Sequence, residues 1–152
     1  MYKYRKSSHA TYKCEYHIVW TPKYRYSVLM SSVKPRLEQI LSSLCNWLEV
    51  EMIEGAIMSD HVHLYLSVPP KHSISQVVKV LKGKSAEALI KEYPKLLRKK
   101  YRTRTLWARG YFVTTVGINS ATIRNYIIIY QEKYWGFRHK MSLLKNFTNR
   151  KL

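Results

Sequence analysis

Acidic residues, cysteine and long apolar runs are all scarce in this 152-residue chain. Nine Asp and Glu stand against 27 Lys and Arg, a formal net charge of +18, so much of the positive charge must lie on the surface. A compact domain with such a field attracts polyanions, of which nucleic acid is the commonest in a cell. The charge therefore predicts a nucleic-acid partner rather than an anionic membrane, since no long amphipathic basic helix or lipidation motif is present.

The two cysteines, Cys14 and Cys45, lack C-x-x-C spacing and are expected to be free thiols in a reducing compartment. No apolar stretch follows the basic start, and the longest strongly apolar run, near residues 127–129, is too short to cross a bilayer. We therefore expect a cytoplasmic protein with no membrane partner. Because 46% of the residues are hydrophobic and 13% aromatic, the chain should form one folded domain over residues 1–152.

The apolar periodicity predicts the element order β-α-β-β-α-β, followed by one more helix. That order indicates an α+β protein with the ferredoxin-like, split βαβ arrangement: an antiparallel sheet with two helices on one face, plus a C-terminal helix that carries tyrosines. The other face is expected to stay open for chemistry or binding, and residues 1–11 are expected to be loose. The predicted strands are 12–21, 50–58, 61–68 and 106–116, and the predicted helices are 33–49, 73–93 and 121–135.

A histidine pair marks the third predicted strand. His61 and His63 alternate with apolar residues, so both imidazoles lie on the face opposite Val62, with about 7 Å between their Cα atoms. Two imidazoles at this spacing can converge on one divalent ion, although an accidental H-x-H on a half-exposed strand is the alternative. Asp60 directly precedes the pair and is a candidate to ligate the ion or to orient an imidazole.

The last predicted helix carries Tyr126, Tyr130 and Tyr134, which lie four residues apart and therefore share one face. The pattern alone favours packing of these phenols on a neighbouring element. The other interpretation is a nucleophile, which needs a nearby metal or base because a free phenol has a pKa of about 10. The histidine site would serve by polarising a scissile phosphate.

Five segments, in the same order along the chain, resemble the single-tyrosine HUH transposases (TnpA) of the IS200/IS605 group of insertion sequences. HUH denotes His, a hydrophobic residue and His, which here is His61-Val62-His63. The likeness extends from about Tyr16 to Gln131. The matching segments are YHIVWTPKYR (16–25), DHVHL (60–64), LKGKS (81–85), WARGY (107–111) and IRNYI (123–127).

The resemblance implies a metal-dependent DNA transposase that cleaves and rejoins single-stranded DNA at insertion-sequence ends. Tyr126 would attack a phosphate, form a 5′-phosphotyrosine bond and free a 3′-OH, while His61 and His63 would ligate Mg²⁺ or Mn²⁺. The resemblance also implies recognition of DNA hairpins at the element ends. It further implies a homodimer, in which the tyrosine helix of one chain acts in trans on the histidine site of the other.

One position departs from the family pattern. The family usually has a glutamine four residues after the tyrosine, as third metal ligand, whereas this chain has Tyr130 there and Gln131 one residue later. One residue rotates a side chain by about 100° around an ideal helix. Gln131 would reach the ion if the helix were locally irregular; otherwise Asp60 or water would take the place. A degraded, inactive copy is a further interpretation.

Basic and aromatic side chains near these motifs are the candidate DNA contacts. Tyr24, Tyr26 and Trp107 are candidates to stack on unpaired bases, and Gly83 would allow close approach of the backbone to a phosphate. The candidate phosphate contacts are Lys23, Arg25, Lys82, Lys84, Arg102, Arg104 and Arg109.

Three other functions remain open. A non-enzymatic single-stranded nucleic-acid-binding module with the same fold would explain the charge and the aromatic residues, but would leave His61, His63 and Tyr126 without a role. Its usual sign is paired aromatic residues on the central strands, and the histidine strand offers only Tyr65 there. A domesticated relative that cleaves hairpins without moving an element would share the chemistry. A metal-dependent hydrolase that acts through activated water would need no tyrosine.

Overall fold

The structure is a computed structural model that describes residues 3–101, 105–117 and 120–135. A short 3₁₀ turn, Lys23–Arg25, follows the first long strand. The strands are β1 (Arg5–Lys6), β2 (Thr11–Tyr12), β3 (Glu15–Trp20), β4 (Glu51–Ile57), β5 (Val62–Ser67) and β6 (Phe112–Thr115), and the helices are α1 (Val33–Trp47), α2 (Ile74–Glu92), α3 (Pro94–Lys100) and α4 (Ser120–Trp135).

Four strands form one antiparallel sheet in the order β4-β5-β3-β6. The central strands β3 and β5 pair from Glu15 opposite Ser67 to Trp20 opposite Val62. β6 pairs with the outer side of β3, and β4 pairs with β5. Because α1 connects β3 to β4 and α2 lies between β5 and β6 in sequence, this is the ferredoxin-like α+β arrangement, and the predicted fold is confirmed.

The face of the sheet that α1 and α2 cover holds the main hydrophobic core. Alternate residues of each central strand point into it, as strand geometry requires. The apolar residues that alternate with the histidines are all buried, as the alternation predicts; they are Val62, Leu64, Leu66 and Val68. The core side chains include Ile18 and Trp20 of β3, Val62, Leu64 and Leu66 of β5, Leu37 and Leu41 of α1, and Val77 and Leu81 of α2.

Part of the opposite face is covered by α4. Tyr65 of β5 and Ala56 of β4 form a second buried cluster with Val116 and with Ile127 of α4. The phenol hydroxyl of Tyr65 donates to Glu15 Oε2 at 2.5 Å, which supplies a partner for its buried polar atom. The expectation of an open second face is therefore wrong over this part of the sheet, because Ile127 of α4 is buried there in one cluster with Ala56 and Tyr65.

Two predicted segments differ in the structure. β1 and β2 form a separate hairpin, closed by a hydrogen bond from Ser7 N to Ala10 O at 2.8 Å, so residues 1–11 are not uniformly loose and the strand predicted over 12–21 begins at Glu15. An ion pair between Arg5 and Glu51 joins this hairpin to β4. The strand predicted over 106–116 is reduced to β6, because Leu106 turns into the main core and the chain after it is irregular.

Both cysteines are unpaired, as predicted. Cys14 is half-buried and Cys45 is buried in the core, where desolvation raises the pKa of its thiol to about 12. Such a thiol is protonated and unreactive at neutral pH. Over the described ranges, each helix is too short or too polar to span a bilayer.

Candidate metal centre and DNA interface

The two histidines of the HUH segment come together at the beginning of β5. His63 lies within the strand and is only 8% exposed. His61 directly precedes the first residue of the strand and is half-buried. Their ring centroids are 4.9 Å apart with the planes at 75°. The sequence-predicted pair is therefore a real spatial pair, and both side chains lie off the main core.

Asp60 is hydrogen-bonded through both carboxylate oxygens. His61 Nδ1 lies 2.6 Å from Asp60 Oδ1, and Arg25 Nε donates to Asp60 Oδ2 at 3.0 Å. Burial alone would raise the pKa of Asp60, but the hydrogen bonds and charges of His61 and Arg25 outweigh it and hold that pKa below its usual range. An ionised carboxylate only accepts hydrogen bonds, so His61 donates from Nδ1. This arrangement favours an orienting role for Asp60 over ligation of an ion.

A third histidine, His17 of β3, belongs to the same cluster. Its Nε2 lies 2.9 Å from Nδ1 of His63. Burial lowers the pKa of His17, and burial together with the charges of His61 and His17 lowers the pKa of His63 to about 4. Both imidazoles are therefore neutral at physiological pH, which is the protonation state that binds a metal.

The chemistry of His61 and His63 suits a divalent ion. In each residue Nδ1 faces a neighbouring side chain, so Nε2 is the nitrogen that can coordinate. Within the described part of the chain, no group of three or more His, Cys, Asp or Glu side chains could hold an ion. Among the described residues, His61 and His63 are therefore two imidazoles that could ligate an ion together.

α4 packs against β4, the strand next to the histidine strand. Ile127 contacts the cluster of Ala56 and Tyr65, and Ala56 pairs with His63 across β4 and β5. Tyr126 immediately precedes Ile127 in the same helix. The helix is continuous from Ser120 to Trp135, so the irregularity that would move Gln131 toward the position of Tyr130 is not seen. The side chains of Tyr126, Tyr130, Tyr134 and Gln131 lie outside the described residues.

An exposed aromatic and basic loop lies beside Asp60. The ring of Tyr24 is 67% exposed and packs 5.5 Å from that of Tyr26, which in turn lies 5.7 Å from Tyr101. Tyr24 and Arg25 have positive φ values of 59° and 52°, a conformation that costs a non-glycine residue about 1–2 kcal/mol. Such strain is concentrated at functional sites, and the exposed rings agree with the predicted role in base stacking.

Trp107 is part of the core, and the prediction that it stacks on bases is wrong. Its ring is buried and meets the ring of Trp20 edge-on at 5.9 Å. Its Nε1 donates to the buried Ser85 Oγ at 3.0 Å. Because the hydrogen bond to Ser85 and the packing on Trp20 both hold the indole in the core, its ring cannot turn outward to stack on a base.

The predicted phosphate contacts lie in different environments. Lys82 Nζ donates to the carbonyls of Ala108 and Gly110 at 2.8 and 2.7 Å, and burial lowers the pKa of this lysine. These two hydrogen bonds join α2 to the irregular segment before β6. Lys84 pairs with Glu87 at 3.2 Å, and Arg25 with Asp60. Lys23 Nζ lies 5.2 Å from the centroid of the Tyr24 ring, and Arg109 is exposed. Arg102 and Arg104 lie outside the described residues.

A ferredoxin-like sheet with a histidine pair at a central strand agrees with the class of DNA transposases that the sequence resembles. The chain belongs to the IS200-like transposase family, whose profile matches residues 10–128. It is 42% identical over 120 residues to the transposase for insertion sequence element IS200 of Salmonella typhimurium, covering 79% of this chain and 78% of that one. It is 39% identical over 124 residues to the ISDra2 transposase TnpA of Deinococcus radiodurans, covering 81% and 88%.

One solved structure supports the same assignment, and a second shares the fold. A crystal structure of a Deinococcus radiodurans R1 protein assigned to the transposases is 36% identical, with a TM-score of 0.69 over 82% of this chain and 96% of that one. The REP-associated tyrosine transposase bound to a REP hairpin has a TM-score of 0.58 over 91% and 77%. Because it is only 13% identical, that likeness concerns the fold alone.

Proposed function

We propose that the protein is a metal-dependent tyrosine transposase that cuts and rejoins single-stranded DNA at the ends of an insertion sequence. Membership of the transposase family supports DNA cleavage and strand transfer. The observation that carries the finer proposal is the pair of imidazoles at the start of β5, whose ring centroids are 4.9 Å apart.

In this proposal His61 and His63 hold Mg²⁺ or Mn²⁺ through Nε2. A bound divalent ion supplies Lewis-acid polarisation of the scissile phosphate. Such hard cations keep several oxygen ligands, so two imidazoles leave room for water and phosphate. Asp60 orients His61, and water takes the place that Gln131 would fill only in an irregular helix.

Tyr126 is the proposed nucleophile. Its phenol oxygen loses a proton and forms a bond to the phosphorus, while the bond from phosphorus to the 3′ oxygen breaks and that oxygen takes up a proton. The product is a 5′-phosphotyrosine and a free 3′-OH. Attack of another 3′-OH on the phosphotyrosine reverses these bond changes, restores the phenol and seals a new junction. No external energy source is needed, because each step exchanges one phosphodiester for another.

The proposed partners are single-stranded DNA and DNA hairpins at the element ends. The net charge of +18 supports a polyanionic partner, and the exposed rings of Tyr24 and Tyr26 beside Arg25 support contacts to unpaired bases. The solved REP-associated tyrosine transposase is bound to a hairpin, which supports the same class of partner for this chain.

We also propose a homodimer in which α4 acts in trans. β6 is an outer strand of the sheet, and its Phe112 and Val113 are 57% and 39% exposed. An exposed apolar edge of this kind supports pairing with another strand. Mixing His61→Ala with Tyr126→Phe protein should restore cleavage if the tyrosine of one chain serves the histidines of the other. Two inactive variants that stay inactive as a mixture would indicate assembly in cis.

The central test is a covalent adduct. A labelled single-stranded oligonucleotide that carries an end of the element is incubated with the protein and Mg²⁺ or Mn²⁺. We expect a protein–DNA adduct that is lost in Tyr126→Phe and in EDTA, and retained in the matched control Tyr130→Phe on the same helix. Cleavage that survives in Tyr126→Phe would indicate a hydrolase, and binding without cleavage would indicate a non-enzymatic module.

A further inference from the structure

We propose that His17 is a positioning residue that holds His63 in the tautomer required for metal binding. The inference rests on the metal role proposed above for His61 and His63. His17 lies on β3, 46 residues before His63 in the chain. The two residues are diagonal neighbours across the central strand pair, since Val19 is the residue opposite His63 and Tyr65 is the residue opposite His17.

The two rings meet head-on. Their centroids are 5.1 Å apart, their facing nitrogens are 2.9 Å apart, and their planes differ by only 4°. The distance between the centroids exceeds the distance between the nitrogens by about twice the distance from an imidazole centre to one of its ring nitrogens. Both nitrogens therefore lie near the line that joins the rings, as in a straight N–H···N hydrogen bond.

This geometry makes His17 a hydrogen-bond partner of His63. It also excludes an ion that would lie between His17 Nε2 and His63 Nδ1 and be bound by both. Two metal–nitrogen bonds of about 2.0–2.1 Å in a straight line need roughly 4 Å between the nitrogens. Only 2.9 Å separates His17 Nε2 from His63 Nδ1. An ion bound by His63 must therefore sit at Nε2, on the other side of that ring.

Coordination then fixes the direction of the hydrogen bond. A neutral imidazole carries one N–H, so His63 can offer a lone pair at Nε2 only when its proton is on Nδ1. That proton is donated to Nε2 of His17. His61 is held in the same way, since its Nδ1 donates to Asp60. Each proposed ligand thus has one partner that fixes its tautomer and its ring orientation.

The surroundings keep His17 in place. Its side chain and that of His63 are only 9% and 8% exposed, so water does not readily replace either partner. The ring of Phe112 meets that of His17 edge-on, with centroids 6.3 Å apart. β3 is paired on both sides, with β5 and with β6. A metal site needs residues of this kind, which are themselves held rigidly and which fix the orientation of the ligand beside them.

The test compares Mn²⁺ affinity, measured by titration calorimetry, between the wild type and three variants of the full chain. His17→Leu removes the acceptor, and loss of such an outer partner weakens metal binding about 10–100-fold. His17→Gln places an amide oxygen at similar reach and should recover most of the affinity. His72→Leu is the matched control, because it removes a hydrogen-bonded imidazole elsewhere, bound to the carbonyl of Leu48; its Mn²⁺ affinity should equal that of the wild type.

A second measurement does not depend on a folded His17→Leu variant. The ¹⁵N spectrum of wild-type protein with Mg²⁺ should show His63 protonated at Nδ1. A His63 coordinated through Nδ1 would overturn the proposal, as would a His17→Leu protein with the Mn²⁺ affinity of the wild type. These outcomes leave the metal site itself standing. A wild type that binds no Mn²⁺ would instead remove the proposed metal role, and the role of His17 with it.

Discussion

Acidification should destabilise the protein between pH 6.5 and about 4 because of His63. Burial, with the charges of His61 and His17, lowers the pKa of His63 from 6.5 to about 4. In this range the unfolded chain binds a proton at His63 and the folded protein does not, so the free energy of unfolding falls as the pH falls. The stabilisation is complete above pH 6.5 and lost by about pH 4. The size of the pKa change corresponds to about 3 kcal/mol, and His17, whose pKa burial also lowers, acts in the same direction.

The assay is urea unfolding at intervals between pH 4 and pH 8, for the wild type and for His63→Gln, which keeps a polar side chain that does not titrate. Carboxylates with lowered pKa values, such as Glu49 and Glu92, are protonated on acidification in both proteins, so the difference between the two curves isolates the imidazole. The wild type should lose about 3 kcal/mol more than the variant. Parallel curves would refute the argument, because they would mean that folding does not change the proton affinity of His63.

Four further substitutions test the packing and the DNA interface. Ser85→Ala should lower the free energy of unfolding by about 1–3 kcal/mol, because the buried N–H of Trp107 loses its acceptor; unchanged affinity for single-stranded DNA would separate this from a DNA role. Gly83→Ala should stabilise by about 0.5–1 kcal/mol in thermal unfolding, since the new methyl group meets nothing within 4 Å in a helix. Gly110→Ala should destabilise by about 1–2 kcal/mol, because its φ is +79°; equal signs for the two glycines would contradict one of the two predictions. Arg109→Ala should reduce the slope of log affinity against log salt by about 0.7 if it contacts one phosphate, and an unchanged slope would exclude the contact.

The histidine strand could be predicted because its pattern is local. Alternation along one half-buried strand is enough to place Val62 and Leu64 in the core and His61 and His63 opposite them. The role of His17 could not be predicted in this way. It depends on the register between β3 and β5, which the local sequence of neither strand determines.

Trp107 shows the opposite error, in which a local pattern predicts a surface role for a residue that is buried. Lys82, another predicted DNA contact, is half-buried and bonds to the backbone near Trp107. The irregular chain before β6 has carbonyls that need donors, and Lys82 supplies them from α2, 26 residues earlier. In a segment without regular alternation, the direction of a side chain is set by what packs beside it.

The head-on contact between His17 and His63 also bears on when the proposed metal site forms during synthesis. The partners are separated by most of the first half of the chain, and they meet only after the intervening helix and strand have been made and the central ladder has closed. A nascent chain on the ribosome therefore lacks the oriented pair of His17 and His63 while that ladder is open. The proposed ligand His63 gains the partner that fixes its ring only when the two central strands have paired.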